Sequence, residues 1–203
     1  MSHSSARSQS PLTDGPGQAA IGRDKALAQF DGLPPVEIGE LAGLWRGAGL
    51  HTGHPLDGLL ERYGWYGKAF ITSGDVYPLL FRRGGELVAI EPAVLPVGVA
   101  MNFPQWVKSG IAHRAFSLAM PLLGTDKSSG RLRLVTFRGT VSAAIIYDRQ
   151  PIIDHLRRLD ENRVMGLMEW RSRPEPFFFL LTRVGESLPV FAGRPPVFVR
   201  PGG

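Results

Sequence analysis

The 203-residue sequence contains no cysteine, which removes disulfides, thiolate nucleophiles and cysteine-ligated zinc or iron–sulfur centres. That absence fits a reducing compartment such as the cytoplasm. No apolar run approaches the roughly 18 residues that a membrane-spanning helix needs, so a soluble chain is expected, with membrane association at most peripheral. No Gly-x-Gly-x-x-Gly follows a strand pattern and no Gly-x-x-x-x-Gly-Lys-Ser/Thr occurs, so nucleotide-dependent chemistry has no phosphate cradle. None of Ser73, Ser109, Ser117 and Ser142 sits in a Gly-x-Ser-x-Gly elbow, and Ser–His–Asp hydrolysis is left without specific support. There is no internal repeat.

What is present is a basic chain, with net charge +5. Clustered Arg and Lys would point to phosphate backbones, but here they are spread along the sequence without a nucleic-acid motif. A solvated basic surface is the reading, and nucleic acid is not an expected partner. Residues 1–22 are rich in Ser, Gly and Pro and are expected to form a disordered leader. Residues 23–183 are expected to form one unit, and 184–203 a C-terminal extension.

The sequence is organised around Gly43 to Phe70, GLWRGAGLHTGHPLDGLLERYGWYGKAF. Glycines flanking Trp45 permit a sharp bend while the indole plugs the end of a barrel or sandwich. Before it, RDKALAQF predicts a short helix stopped by Gly32, Pro34 and Pro35, and Glu37 to Leu41 a single turn. After it, Pro55, Leu56, Leu59, Leu60 and Tyr63 have the spacing of a short amphipathic helix ended by Gly64. Strands are expected over Trp65–Thr72, Leu79–Arg83 and Glu86–Glu91, the last two joined at Gly84 and Gly85. Phe103 and Trp106 are expected against the core, and Ala112–Leu123 fits either helix or strand. RLRLVTF and TVSAAIIYD flank a tight turn at Arg138 and Gly139. Ile152–Leu159 and Val164–Trp170 read as a hairpin. In Phe177–Arg183, Phe177, Phe179, Leu181 and Arg183 share one face, and Phe178, Leu180 and Thr182 the other.

Four ordered segments resemble the GXWXG domain family with its C-terminal companion domain of unknown function. They are Gly43, Trp45 and Gly47; HPLDGLL from His54; WYGK from Trp65; and YDRQPIID from Tyr147 to Asp154. The GXWXG segment would cover about 33–91 and the companion about 112–183. The resemblance implies a mainly β fold, a calycin-like (lipocalin-like) antiparallel barrel with one or two short helices. It brings no established activity. The analogy to such barrels also implies a late-strand arginine over the first-strand tryptophan, here Arg183 over Trp45.

Two constellations could carry chemistry. His51, His54 and Asp57 could transfer protons, although His54 before Pro55 and Asp57 in a first helical turn also have an ordinary structural reading. The spacing lacks a second ligand cluster, and no metal is expected. In YDRQPIIDH, Tyr147, Arg149, Asp154 and His155 could form a buried polar patch, with Arg149 pairing Asp154. Lys68, Arg138 and Arg183 would add positive charge at one mouth, suited to a carboxylate or phosphate on a greasy ligand. Haem, bound by other small barrels with a Gly-x-Trp-x-Gly signature, would need His113 or His155 as ligand; no cofactor is expected. The expectation is a barrel that binds a small hydrophobic or amphiphilic molecule. The alternatives are a cofactor-independent isomerase, cyclase or hydrolase using His54, Asp57, Asp154 or His155, and an interaction module whose barrel is filled.

Overall fold

In the computed structural model, which describes residues 21–184, the chain enters through helix α1 (Arg23–Gly32). The helix stops where Leu33 turns extended ahead of Pro34 and Pro35. A 3-10 turn (Ile38–Leu41), capped reciprocally by Glu37 and Glu40, then leads into strand β1 (Gly43–Leu50). The expected leader and C-terminal extension lie almost wholly outside the described residues.

Eight antiparallel strands close into a barrel. They are β1, β2 (Trp65–Phe70), β3 (Val76–Arg83), β5 (Gly130–Phe137), β6 (Thr140–Tyr147), β7 (Ile152–Arg158), β8 (Arg163–Trp170) and β9 (Arg173–Arg183). They run in the order β2-β1-β9-β8-β7-β6-β5-β3, and β2 pairs with β3 to complete the circle. A ninth strand, β4 (Glu86–Ala89), forms a hairpin with β3 across Gly84 and Gly85, both at positive φ. The β5–β6 turn likewise places Arg138 and Gly139 at φ 49° and 78°, the handedness that suits a two-residue hairpin.

Alternation along each strand divides the core. Phe177, Phe179 and Leu181 of β9 point inward with Trp45, Phe81, Ile145 and Leu156. Phe178 and Leu180 point outward and are covered by Ala26 and Phe30 of α1. Helix α1 is therefore a patch on the outside of the barrel, and burying each such aromatic is worth about 1.5–3 kcal/mol.

The closure is uneven. Strands β5 and β6 pair over eight positions, but β3 meets β5 only at Val76 and Gly130. The segment between β4 and β5 folds as helices α3 (Val97–Asn102), α4 (Pro104–Val107) and α5 (Gly110–Leu123), which cover the barrel interior. Phe116 of α5 packs edge-on to Tyr63 and against Phe81, and the Tyr63 hydroxyl donates to the Val107 carbonyl. The ambiguous Ala112–Leu123 stretch is thus helical, opened by Ser109, whose Oγ accepts from the Ala112 N–H. No described helix is long and apolar enough to cross a membrane.

Some expectations are corrected. The Pro55–Tyr63 helix shrinks to α2 (Leu59–Arg62), because Gly58 at φ 70° breaks its first turn. Strand β3 begins at Val76 rather than Leu79 and runs through Pro78. Phe103 is 63% exposed and does not pack in the core.

Candidate functional site

Beneath α3–α5 the barrel encloses a cavity of about 380 Å³, walled by side chains such as Leu59, Trp65, Phe81, Phe116, Phe177 and Phe179. Trp106 belongs to the lining and is 59% exposed, so the cavity reaches the surface beside it. Its wall is almost entirely apolar, and the polar side chains on it are concentrated in one cluster: Lys68, Tyr147 and Asp154.

Each member reaches the interior for a local reason. Tyr147 follows Ala143 and Ile145 on the inward face of β6, and Asp154 lies between Ile152 and Leu156 on that of β7. For Lys68 the alternation along β2 breaks at Gly67. Trp65 and Phe70 face inward while Tyr66 and Ala69 face outward, and the register against β3 shifts on both sides of Gly67, whose φ is 148°. This irregularity turns Lys68 into the barrel on the same side as Trp65.

The cluster is closed and hydrogen-bonded. Lys68 Nζ lies 2.8 Å from Asp154 Oδ2, and donates to the Tyr147 oxygen at 3.2 Å and to the Pro78 carbonyl at 3.1 Å. The Tyr147 hydroxyl donates to Asp154 Oδ2 at 3.0 Å. Lys68 and Asp154 are 2% and 1% exposed, and each is the other's counter-charge away from solvent. Burial, reinforced by the Asp154 carboxylate, lifts the Tyr147 hydroxyl well above the ordinary phenol range, and it remains protonated. Asp154 Oδ1 has no hydrogen-bond partner.

The remaining candidates lie elsewhere. Asp57 Oδ2 accepts from the backbone N–H groups of Thr52, Gly53 and His54, which fixes the loop after β1. His54 packs against Phe177 and accepts the Leu56 N–H on Nδ1; burial pushes its pKa below the ordinary value. Neither residue lines the cavity. His155 is on the outward face of β7, stacked on Phe137 at 3.6 Å and 2.9 Å from Glu169, its pKa lowered by burial. His113 lies beside Tyr63 on α5. Arg149 is exposed and does not pair with Asp154; the ion pair forms with Lys68 instead. Arg138, in the β5–β6 turn, is held by Asp31 of α1 at 2.6 Å and 2.7 Å. Trp45 and Arg183 form a stack of their own, away from the cavity. Among the described residues no group of three His, Asp or Glu is placed to hold a metal ion.

Lys68, Tyr147 and Asp154 are thus the predicted residues that the fold brings together on the cavity wall, and Arg183 stacks on Trp45 as expected. The α3–α5 wall and the Lys68–Asp154 pairing were not foreseen. The available signal for the latter was Gly67, a glycine inside a strand, which marks a bulge.

Two family models match the chain: the GXWXG protein family over residues 28–85, and the domain of unknown function DUF4334 over residues 128–183. No match is found among curated proteins. A crystal structure of a protein from Thermomonospora curvata superposes with a TM-score of 0.60 at 34% sequence identity, covering 81% of this chain and 89% of that one.

Proposed function

Because the chain belongs to the GXWXG protein family, with its companion domain of unknown function completing the same barrel, we propose that it binds one small hydrophobic or amphiphilic molecule in the barrel interior. One observation carries this reading: an apolar cavity of about 380 Å³ contains a buried ion pair with a carboxylate oxygen left unpaired. A barrel that served only as a scaffold would gain stability by filling that space with side chains. The volume falls in the range of small-molecule sites, roughly 300–1,000 Å³. The lack of cysteine favours a reducing compartment, the cytoplasm.

Native mass spectrometry of the purified protein, followed by denaturing extraction, tests the proposal. A stoichiometric amphiphile released on denaturation supports it. A protein that is empty as isolated and takes up none of a panel of fatty acids, alcohols and isoprenoids would contradict it.

The same unpaired Asp154 oxygen favours a second reading, a cofactor-independent isomerase, cyclase or hydrolase in which Asp154 moves a proton of the bound molecule. Turnover of the extracted molecule by the wild type, lost in Asp154→Asn with binding retained, would select this reading over a carrier.

A further inference from the structure

We propose that the bound molecule presents a neutral hydroxyl to Asp154 and that carboxylate-headed molecules are excluded. This rests on the binding role above and specifies the chemistry of the ligand's polar end.

Hydrogen-bond valence within the cluster carries the inference. An ammonium has three donors and no acceptor. The three donors of Lys68 meet three acceptors: the Pro78 carbonyl at 3.1 Å, the Tyr147 oxygen at 3.2 Å and Asp154 Oδ2 at 2.8 Å. Tyr147 spends its single proton on the same Oδ2. Asp154 Oδ2 therefore accepts twice and Oδ1 not at all. Asp154 lines the cavity but is 1% exposed, so Oδ1 takes a donor only from a group seated in the cavity after a small adjustment of the wall. An incoming polar group has to donate a hydrogen bond.

Charge narrows the class. Lys68 and Asp154 neutralise each other, and the wall beside them is apolar. A carboxylate brings acceptors only and a second negative charge next to Asp154, with every Lys68 proton already engaged. An alkylammonium donates but places a second cation beside Lys68, whose own charge already faces the rings of Phe179 at 4.8 Å and of Trp65 and Tyr147 at 5.7 Å. A hydroxyl donates one proton and adds no charge. Its oxygen remains free to accept, and the indole N–H of Trp65, another cavity-lining residue, is buried without a partner. The carboxylate- or phosphate-headed ligand expected from the scattered basic residues does not fit this arrangement. Arg138 and Arg183 lie outside the cavity, and Lys68 is already committed.

The test is a titration of the full chain at neutral pH with 1-decanol, decanoic acid and decylamine, which share one chain and differ in head group. Trp65 and Trp106 line the cavity, so tryptophan fluorescence reports occupancy, and native mass spectrometry gives stoichiometry. Decanol is expected to bind at least about tenfold more tightly than either charged analogue, because a site built around a donor rejects ligands that cannot supply one without charge. In Asp154→Asn the preference should vanish and decanoate should bind at least as well as decanol, since Lys68 has lost its counter-charge. Equal binding of decanoate and decanol by the wild type would overturn the inference while leaving the cavity-binding role intact. A preference for decanol that survives Asp154→Asn would also overturn it. Binding of none of the three would count against the cavity-binding role itself. The wild-type comparison decides the matter even where the variant fails to fold.

Discussion

The guanidinium carbon of Arg183 sits 4.3 Å from the ring centroid of Trp45, at the register position where β9 and β1 pair these two residues directly. The same guanidinium donates to the carbonyls of Glu40 and Ala42, and the Trp45 indole N–H donates to the Leu41 carbonyl at 2.7 Å. One arginine thus joins the last barrel strand, the first strand and the turn that precedes it.

Replacing that arginine should loosen this junction. Arg183→Ala removes a cation–π contact worth about 0.5–2 kcal/mol and two charge-assisted bonds to carbonyls, and a loss of roughly 1–3 kcal/mol is expected. Thermal unfolding should report it as a shift of about 2–4 °C per kcal/mol for a chain of this size. Arg183→Lys should recover little, because the ammonium lacks the planar fork that stacks on the indole while reaching both carbonyls. Ligand binding should be unaffected at saturating ligand.

Gly47, the second glycine of the Gly-x-Trp-x-Gly pattern, has ordinary backbone angles. Its service is space: a Cβ there would lie 2.2 Å from Trp65 Cη2. Gly47→Ala should destabilise by about 1–3 kcal/mol through overpacking. It should also weaken binding, because the displaced indole lines the cavity. Combining it with Trp65→Leu should restore part of the lost stability, and urea unfolding of the two single variants and the double measures that coupling.

Removing either partner of the buried pair leaves an unpaired charge in an apolar interior. Lys68→Met and Asp154→Leu should each cost about 3–5 kcal/mol, whereas the double variant should cost much less than their sum. Denaturant midpoints of the four proteins complete the cycle; additive losses would mean that the pair is not coupled.

Burial lowers the pKa values of His54 and His155 below the ordinary value of 6.5. A depressed folded-state pKa means that the unfolded chain takes up the proton more readily. The stability that the two neutral imidazoles confer is complete above pH 6.5 and is lost as pH falls through their folded values. Urea unfolding from pH 7.5 downward should show this decline. In the variants His54→Gln and His155→Gln it should be shallower.

Much of the fold was legible because alternation in the long strands is strong. The Phe177–Arg183 run separates inward from outward residues without ambiguity, and Arg138-Gly139 announces its turn. The helices over the cavity were harder to read. The α5 sequence is apolar on nearly every side, with Ile111, Leu118 and Leu122 exposed, so its periodicity does not distinguish helix from strand. The site was half legible. Tyr147 and Asp154 lie at even spacing from inward neighbours, but for Lys68 the two ends of β2 disagree: counting from Phe70 places it inward and counting from Trp65 outward, and the irregularity at Gly67 reconciles them. The pairing of Lys68 with Asp154 joins residues 86 positions apart, and no local pattern encodes it.

The uneven closure of the barrel also divides the chain by how its parts are held. The two family matches end at residue 85 and resume at 128, and the helices over the cavity fall in the interval between them. Within that interval β4 is laddered to β3, whereas helices α3–α5 meet the barrel through side chains such as Phe116, which packs against Tyr63 and Phe81. The ladder of the barrel and the helical roof are therefore held by different means, backbone bonds in the one and side-chain packing in the other. A change of side chains in the roof would reshape the cavity without disturbing the register that holds Trp45, Lys68 and Asp154.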